Sequence, residues 1–394
     1  MLNVLNINDC DLTNRRFNGY DLRPFLQPYG INSEMLVWRK QSDEDFVSTI
    51  GPKSLQKIHH LPFAWLLPLK KSFRDADILH FQLVHLCSFP LSSYPFITST
   101  KPTVWTIHDF WSMTGGCLCP FECKLWKTGC SIEWNYDHES IDYFKSRLVN
   151  CENGGRTNRE WSLKQKIFSD SSFEIIVSSP WMERMVRASP LLKGKTIHVV
   201  PFGINQKDFY PMDQALAKSS LGLDANRLVV SFRSSIRPEK NLPLIKKALL
   251  SLLSETKDRL QVIAFSEKGL VEILRGEFPV LDCGWVSDST LNVILNASDI
   301  VLMPSKAETF GLVALEAMAC GKPVIVGEGT ALPDLAEDLV SLREPLHLAD
   351  MLDKLLDNEK ERHRIGQKNF DNINAHHTIE GQARQMAEIY QELV

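Results

Sequence analysis

No run of this sequence approaches the roughly 20 apolar residues needed to cross a bilayer. There is no internal repeat, no low-complexity tract and no basic tail, and the formal net charge is -4. The electrostatic footprint of a nucleic-acid binder is therefore missing. Met1 to Ile7 has neither a basic n-region nor a long apolar core, so it reads as a short strand and not as a secretory leader. The nine cysteines are an odd number in a chain of 394 residues. That argues for reduced thiols in a cytoplasmic protein over a disulfide frame. The length predicts two or three domains, and the charged and apolar fractions are those of a soluble globular protein.

What the sequence does have is concentrated between Asp299 and Gly327. Asp299-Ile-Val-Leu-Met303 reads as a buried strand, followed by the loop Pro304 to Ala307 and then Glu308-Thr309-Phe310-Gly311. Leu312, Leu315 and Ala319 recur at helical spacing on one face. Gly321 and Pro323 stop that helix, and Pro323 to Gly327 returns as a second strand. This is a βαβ unit, the building block of a parallel sheet. Such sheets bind ligands at the carboxyl ends of their strands. A helix N-terminus with Gly311 suits a phosphate, and the carboxylates of Glu308 and Glu316 suit ribose or sugar hydroxyls. Together they point to a nucleotide sugar.

The run ETFGLVALEAMACGKPVI, with seven residues between Glu308 and Glu316, resembles the signature of retaining glycosyltransferases of family 4. The resemblance implies a GT-B fold: two Rossmann-like domains facing each other across a cleft, with a C-terminal helix crossing back to the N-terminal domain. It implies that Glu308 lies near the donor sugar, that Glu316 bonds the ribose, and that Thr309, Phe310, Gly311 and Leu312 line the diphosphate. It also extends to Arg233-Ser-Ser-Ile-Arg237-Pro-Glu-Lys240-Asn241. Relatives carry an arginine where this chain has Ser235, so Arg233 is the first candidate replacement and Arg237 the second, beside Lys240. Leu281 to Val286 resembles the loop that holds the nucleotide base. Val286 would act there, and Trp285 reads either as a base-stacking ring or as core.

In the first half, Thr103-Val-Trp-Thr-Ile-His108-Asp109 delivers His108 to the end of a β-branched strand. It resembles the family's strand-His-Asp stretch, in which the histidine faces the donor sugar. His80 and His85 read as structural. The loop after the first strand has only Gly19 as a flexible point, with Arg15 and Arg16 as either anion contacts or surface cations. Gly19, Asp109, Gly115 and Gly116 are the acceptor-side candidates. Cys117, Cys119, Cys123 and Cys130 have irregular gaps, which reads as reduced thiols more readily than as zinc ligands or a disulfide. Asp-x-Asp pairs at 75/77, 9/11 and 43/45 are chance recurrences, and no metal or cofactor is expected. Tyr20 to Tyr29 reads as a helix interrupted by Pro24. Segment 61–74 sets Phe63, Trp65, Leu66, Leu67 and Leu69 beside Lys70, Lys71 and Arg74, read as either core or a membrane interface.

The expected domains are 1–200 with helix 378–394, binding acceptor, and 201–377, binding the donor. The expected reaction moves a sugar with retention from a nucleoside diphosphate sugar to a glycan acceptor. That acceptor would be lipid-linked, in bacterial-type surface polysaccharide synthesis at the inner face of the cytoplasmic membrane. A GT-B epimerase would instead release free nucleotide without an acceptor, and a phosphorylase would respond to inorganic phosphate. A bilobed binding protein would hold the ligand without turnover.

Overall fold

The computed structural model describes residues 1–51, 63–86, 89–121, 123–130, 154–335, 340–341 and 344–394. Residues 61–62 of the segment 61–74, and residues 131–153, lie outside them. The chain forms two compact units: Met1–Phe202 with Ile379–Val394, and Gly203–Thr378.

In the first unit, β1 (Leu2–Cys10), β2 (Ile31–Arg39), β3 (Val47–Thr49), β4 (Ile78–Phe81), β5 (Thr103–Thr106), β6 (Glu174–Val177) and β7 (Ile197–Val199) form one parallel sheet. Its order is β3-β2-β1-β4-β5-β6-β7. Parallel sheets covered on both faces need near-continuous apolar strands, and β4 and β5 are buried throughout. β1 departs from that rule at Asn6 and Asn8. Asn6 Nδ2 donates to Ser33 Oγ at 2.9 Å, and Asn8 Oδ1 accepts the Leu83 N–H at 3.1 Å. Polar side chains survive in the sheet because each is hydrogen-bonded.

The helix Ile379–Glu392 belongs to this unit. It buries Ile379, Ala383, Met386, Ala387 and Tyr390 in a cluster that includes Val4, Leu26, Ile78 and Ile176. Pro24 does not interrupt a helix over 20–29. It stands in the first turn of a shorter one, Arg23–Leu26, where its missing N–H costs nothing. A 3-10 turn, Gln27–Tyr29, then ends at left-handed Gly30.

The second unit has β8 (Leu228–Ser234), β9 (Leu260–Ser266), β10 (Val280–Gly284), β11 (Ile300–Met303), β12 (Val324–Val326) and β13 (Val340–Ser341). The order is β10-β9-β8-β11-β12-β13, again parallel. Counted within each unit, the second sheet runs 3-2-1-4-5-6, the order of a dinucleotide-binding fold, and the first runs the same with a seventh strand added at the end. Ligands of that fold sit beyond the carboxyl ends where the order reverses: after β1 and β4 in one unit, after β8 and β11 in the other.

The helix Leu312–Ala319 has the expected limits but not the expected face. Ala314 to Ala319 are all buried and Leu312 is half-buried, so the helix is surrounded by core and has no solvent side beyond its first turn. Segment 61–74 is divided. Ala64 and Leu67 are buried, whereas Trp65, Leu66 and Leu69 are 44%, 50% and 71% exposed. Among the described residues, no helix is long and apolar enough to cross a membrane.

Candidate functional site

At the reversal point of the second unit, β8 ends on Arg233 and Ser234, and β11 leads into the loop that carries Glu308. Lys240 stands in the 3-10 turn Pro238–Lys240, and left-handed Asn241 (φ 56°) turns the chain into the helix Leu242–Leu250. Asn241 Nδ2 donates to the Pro304 carbonyl at 3.1 Å, and Lys306 N–H to the Glu239 carbonyl at 2.8 Å. These bonds stitch the two loops together and bring Lys240 Nζ within 2.7 Å of Glu308 Oε2.

Arg233 joins the same charge cluster. Its Nε donates to Ser266 Oγ at 3.3 Å. Burial lowers its pKa, with the Arg237 charge adding to that and Glu308 opposing it. Ser235, where relatives are expected to carry arginine, is buried and donates to Glu267 Oε1 at 2.5 Å. Arg237 is tied to Glu239 at 2.8 Å.

Gly311 is at φ +98°, and an added Cβ would lie 2.0 Å from Leu332 Cδ2. Only glycine meets both conditions. Phe310 is buried edge-on to His377, with ring centroids 6.3 Å apart, and Glu316 is fully buried. Thr309 and Val286 are half-buried. Trp285 follows β10 and is 79% exposed, which excludes the core alternative.

In the first unit, His108 follows β5. Its ring packs in one cluster with Phe17 (centroids 4.9 Å) and Phe202 (5.8 Å, 16° between planes), which are themselves 6.0 Å apart. Its Nε2 is 2.7 Å from Gln82 Oε1. Asp109 sits 3.1 Å from His85 Nε2 and accepts the Trp111 N–H at 2.8 Å. Burial works to raise the Asp109 pKa, but the His85 imidazole and these hydrogen bonds outweigh it and hold the carboxyl below its ordinary value.

Gly19, at φ +95°, passes over Asn6, whose Oδ1 would be 2.7 Å from an added Cβ. Gly115 is buried with the Thr157 carbonyl 2.2 Å from its would-be Cβ, and its N–H donates to Cys130 Sγ at 3.2 Å. Gly116 has φ +132°. Lys164 fastens this loop: its Nζ donates to the Trp111 and Thr114 carbonyls at 2.7 and 3.0 Å. Burial pushes the Lys164 pKa down to about 7. Among the described residues, no group of three or more His, Cys, Asp or Glu is placed to hold a metal.

The sequence reading took His80 as structural and gave Gln82 no role. Two apart at the end of β4, they share a face, and His80 is completely buried between Tyr390 Oη and Thr106 Oγ1, each at 2.6 Å. Burial, reinforced by the charge of His108, lowers the His80 pKa to about 3. Burial lowers that of His108 to about 4, with Asp109 opposing and His85 assisting. Both imidazoles are neutral in the native state near pH 7, and unfolding returns them to about 6.5. Below that pH the unfolded chain binds protons that the native protein refuses, so stability falls as pH drops from about 6.5 towards 4 and is unaffected above 7. Calorimetry at pH 5 should show that unfolding of the His80→Gln variant takes up about one proton fewer than unfolding of the wild type. Equal uptake would refute the assignment.

The whole chain superposes on solved two-domain glycosyltransferase structures. Sucrose-phosphate synthase from Thermosynechococcus elongatus matches with a TM-score of 0.67 at 18% identity, covering 100% of this chain and 99% of that one. Anabaena HepE, solved with UDP and glucose, matches with a TM-score of 0.68 at 16% identity, covering 100% of both. The fold is GT-B.

Residues 213–371 match the model of the family described as glycosyl transferases group 1. Among curated relatives, a D-inositol 3-phosphate glycosyltransferase of Segniliparus rotundus is 34% identical over 156 residues, 37% of this chain and 34% of that one. One of the same name from Mycobacterium tuberculosis is 31% identical over 204 residues, 48% of this chain and 42% of that one. The chain thus spans between a third and a half of the length of these relatives.

Proposed function

We propose that this protein is a retaining glycosyltransferase that moves a sugar from a nucleoside diphosphate sugar to a glycan acceptor. The observation that carries the reading is the Lys240–Glu308 pair with Arg233 beside it at the reversal point of the second unit. Two cations and a carboxylate stand next to the Gly311 turn, and this is the chemistry that a diphosphate and a sugar hydroxyl require. The family match lies within the same unit.

Lys240 and Arg233 are assigned to the leaving diphosphate, Glu316 to the ribose, Trp285 to the base, and Glu308 and His108 to hydroxyls of the transferred sugar. The departing phosphate takes the acceptor proton, and the protein contributes position and charge. No metal enters this scheme. A thermal-shift panel of nucleoside diphosphate sugars tests it, because a ligand of the native state raises the melting temperature. One or more donors should shift the wild type and leave Lys240→Met unmoved; a flat panel would sink the reading.

The acceptor is assigned as lipid-linked, at the inner face of the cytoplasmic membrane, in surface polysaccharide synthesis. Trp65, Leu66 and Leu69 are exposed, Phe96 stacks on Trp65 at 5.4 Å, and Lys70, Lys71 and Arg74 follow directly. Aromatic and aliphatic side chains beside cations suit an anionic bilayer surface. Replacing Lys70 and Lys71 by Gln should weaken binding to phosphatidylglycerol vesicles roughly 30-fold and leave neutral vesicles unaffected. Equal co-sedimentation of both proteins would refute it.

A further inference from the structure

Gln82 sits among polar partners on both sides of its amide, which orient it. Its Nε2 donates to Asn6 Oδ1 at 3.2 Å and to His80 Nε2 at 3.1 Å, while its Oε1 faces His108 Nε2 at 2.7 Å. An amide oxygen only accepts and an amide nitrogen only donates. The His108 ring proton is therefore on Nε2, and its ring lone pair is on Nδ1. The same logic runs on through His80. Its Nε2 accepts from Gln82 and from Thr106 Oγ1, so its proton is on Nδ1 and goes to Tyr390 Oη. Tyr390 is buried in the C-terminal helix, and every group named belongs to the first unit.

We propose that Gln82 is a positioning residue that fixes His108 as its Nε2–H tautomer, and that Tyr390 sets this choice from the C-terminal helix through His80 and Gln82. The functional consequence rests on the assignment of His108 to a hydroxyl of the transferred sugar. With its proton held by Gln82, neutral His108 meets that hydroxyl as an acceptor. Phe202 stacks on the ring with 16° between planes, so its plane is set as well as its proton.

The relay predicts an effect at a distance. Removing the Tyr390 hydroxyl strands the buried His80 Nδ1–H, and an unsatisfied buried donor is costly. His80 recovers a full set of partners by carrying its proton on Nε2, donating towards Thr106. Gln82 then turns its oxygen to His80 and its nitrogen to His108, Asn6 turns its own nitrogen to Gln82 and its oxygen to the Ser33 hydroxyl, and His108 moves its proton to Nδ1. A phenylalanine at 390 keeps the packing, so the tautomer changes while the helix stays docked.

The test uses the full chain labelled with ¹⁵N-histidine. Two-bond ¹H–¹⁵N correlations at pH 7 are assigned with the His80→Gln and His108→Gln variants. The wild type should show His108 protonated on Nε2 and His80 on Nδ1. In Tyr390→Phe the Nδ1–H form of His108 should become the major one, with kcat lowered about tenfold and the donor-induced thermal shift retained. Gln82→Met should release His108 into a mixture of tautomers, and it supplies the answer should Tyr390→Phe not fold. Wild-type His108 protonated on Nδ1, or His108 resonances unmoved in either variant, would overturn the proposal. The tautomer is read without substrate, so it is decided even where no sugar nucleotide is turned over. Full turnover by His108→Ala would instead strike the sugar-hydroxyl assignment alone.

Discussion

Lys240→Met should lower kcat by about 10²–10³, the cost of removing one charge-stabilising donor from a reacting group. The Lys240 ammonium is 2.7 Å from Glu308, so a diphosphate bound as proposed would compete with that carboxylate for the same cation. The two partners should therefore fail differently. Lys240→Met loses both the nucleotide-induced thermal shift and turnover. Glu308→Gln removes the competitor, so it keeps or enlarges the nucleotide-induced shift while turnover collapses, because the contact to the sugar is gone. Both pair members are mostly buried, and Arg233 still faces Glu308 in the lysine variant. The fold should thus survive, which circular dichroism checks. Parallel loss of nucleotide binding in both variants would remove the distinction between a diphosphate clamp and a sugar contact.

Gly311→Ala should be strongly destabilising. The new Cβ would lie 2.0 Å from Leu332 Cδ2 and 3.3 Å from Glu308 Cγ, at φ +98°. Left-handed backbone and overpacking together cost about 3 kcal/mol, or about 6–12 °C in Tm for a unit of this size. Leu332 is fully buried, so Leu332→Ala alone opens a cavity and costs about 2–5 kcal/mol. In the double variant the added methyl enters the space that the leucine vacated. The pair should then lose at least 1 kcal/mol less than the sum of the singles. Strict additivity in urea melts would show that the clash is not what excludes a side chain at 311.

The donor half was legible because its signal is local. Strand, loop, Glu308, Gly311, helix and proline-led strand follow one another within thirty residues, and each obeys a short-range rule. The place of Arg233 at the end of β8 was legible for the same reason. Other features depend on what surrounds an element. The spacing of Leu312, Leu315 and Ala319 announced a helix but not that core would surround it. Pro24 looked like a breaker because nothing in the sequence marked it as a first-turn residue. Trp65 and Leu67 look alike in a list of apolar residues; their positions on the 3-10 turn Phe63–Leu69 expose one and bury the other. The network of Asn6, Gln82, His108 and Tyr390 was illegible for a further reason. Each lies on a different element with no local pattern linking it to the others, and 384 positions separate the first from the last. Only the return of the final helix makes them neighbours.

That return imposes an order on biogenesis. Residues 203–378 leave the ribosome before the Ile379–Glu392 helix does, although the helix belongs with the first 202 residues. During translation Val4, Leu26 and Ile78 wait for the apolar side of an element not yet made, while the buried imidazole of His80 waits for the Tyr390 hydroxyl. The later-made unit is a contiguous segment and can finish first. The half begun first is closed last, and a nascent chain stalled before residue 379 exposes a greasy seam for chaperones to shield.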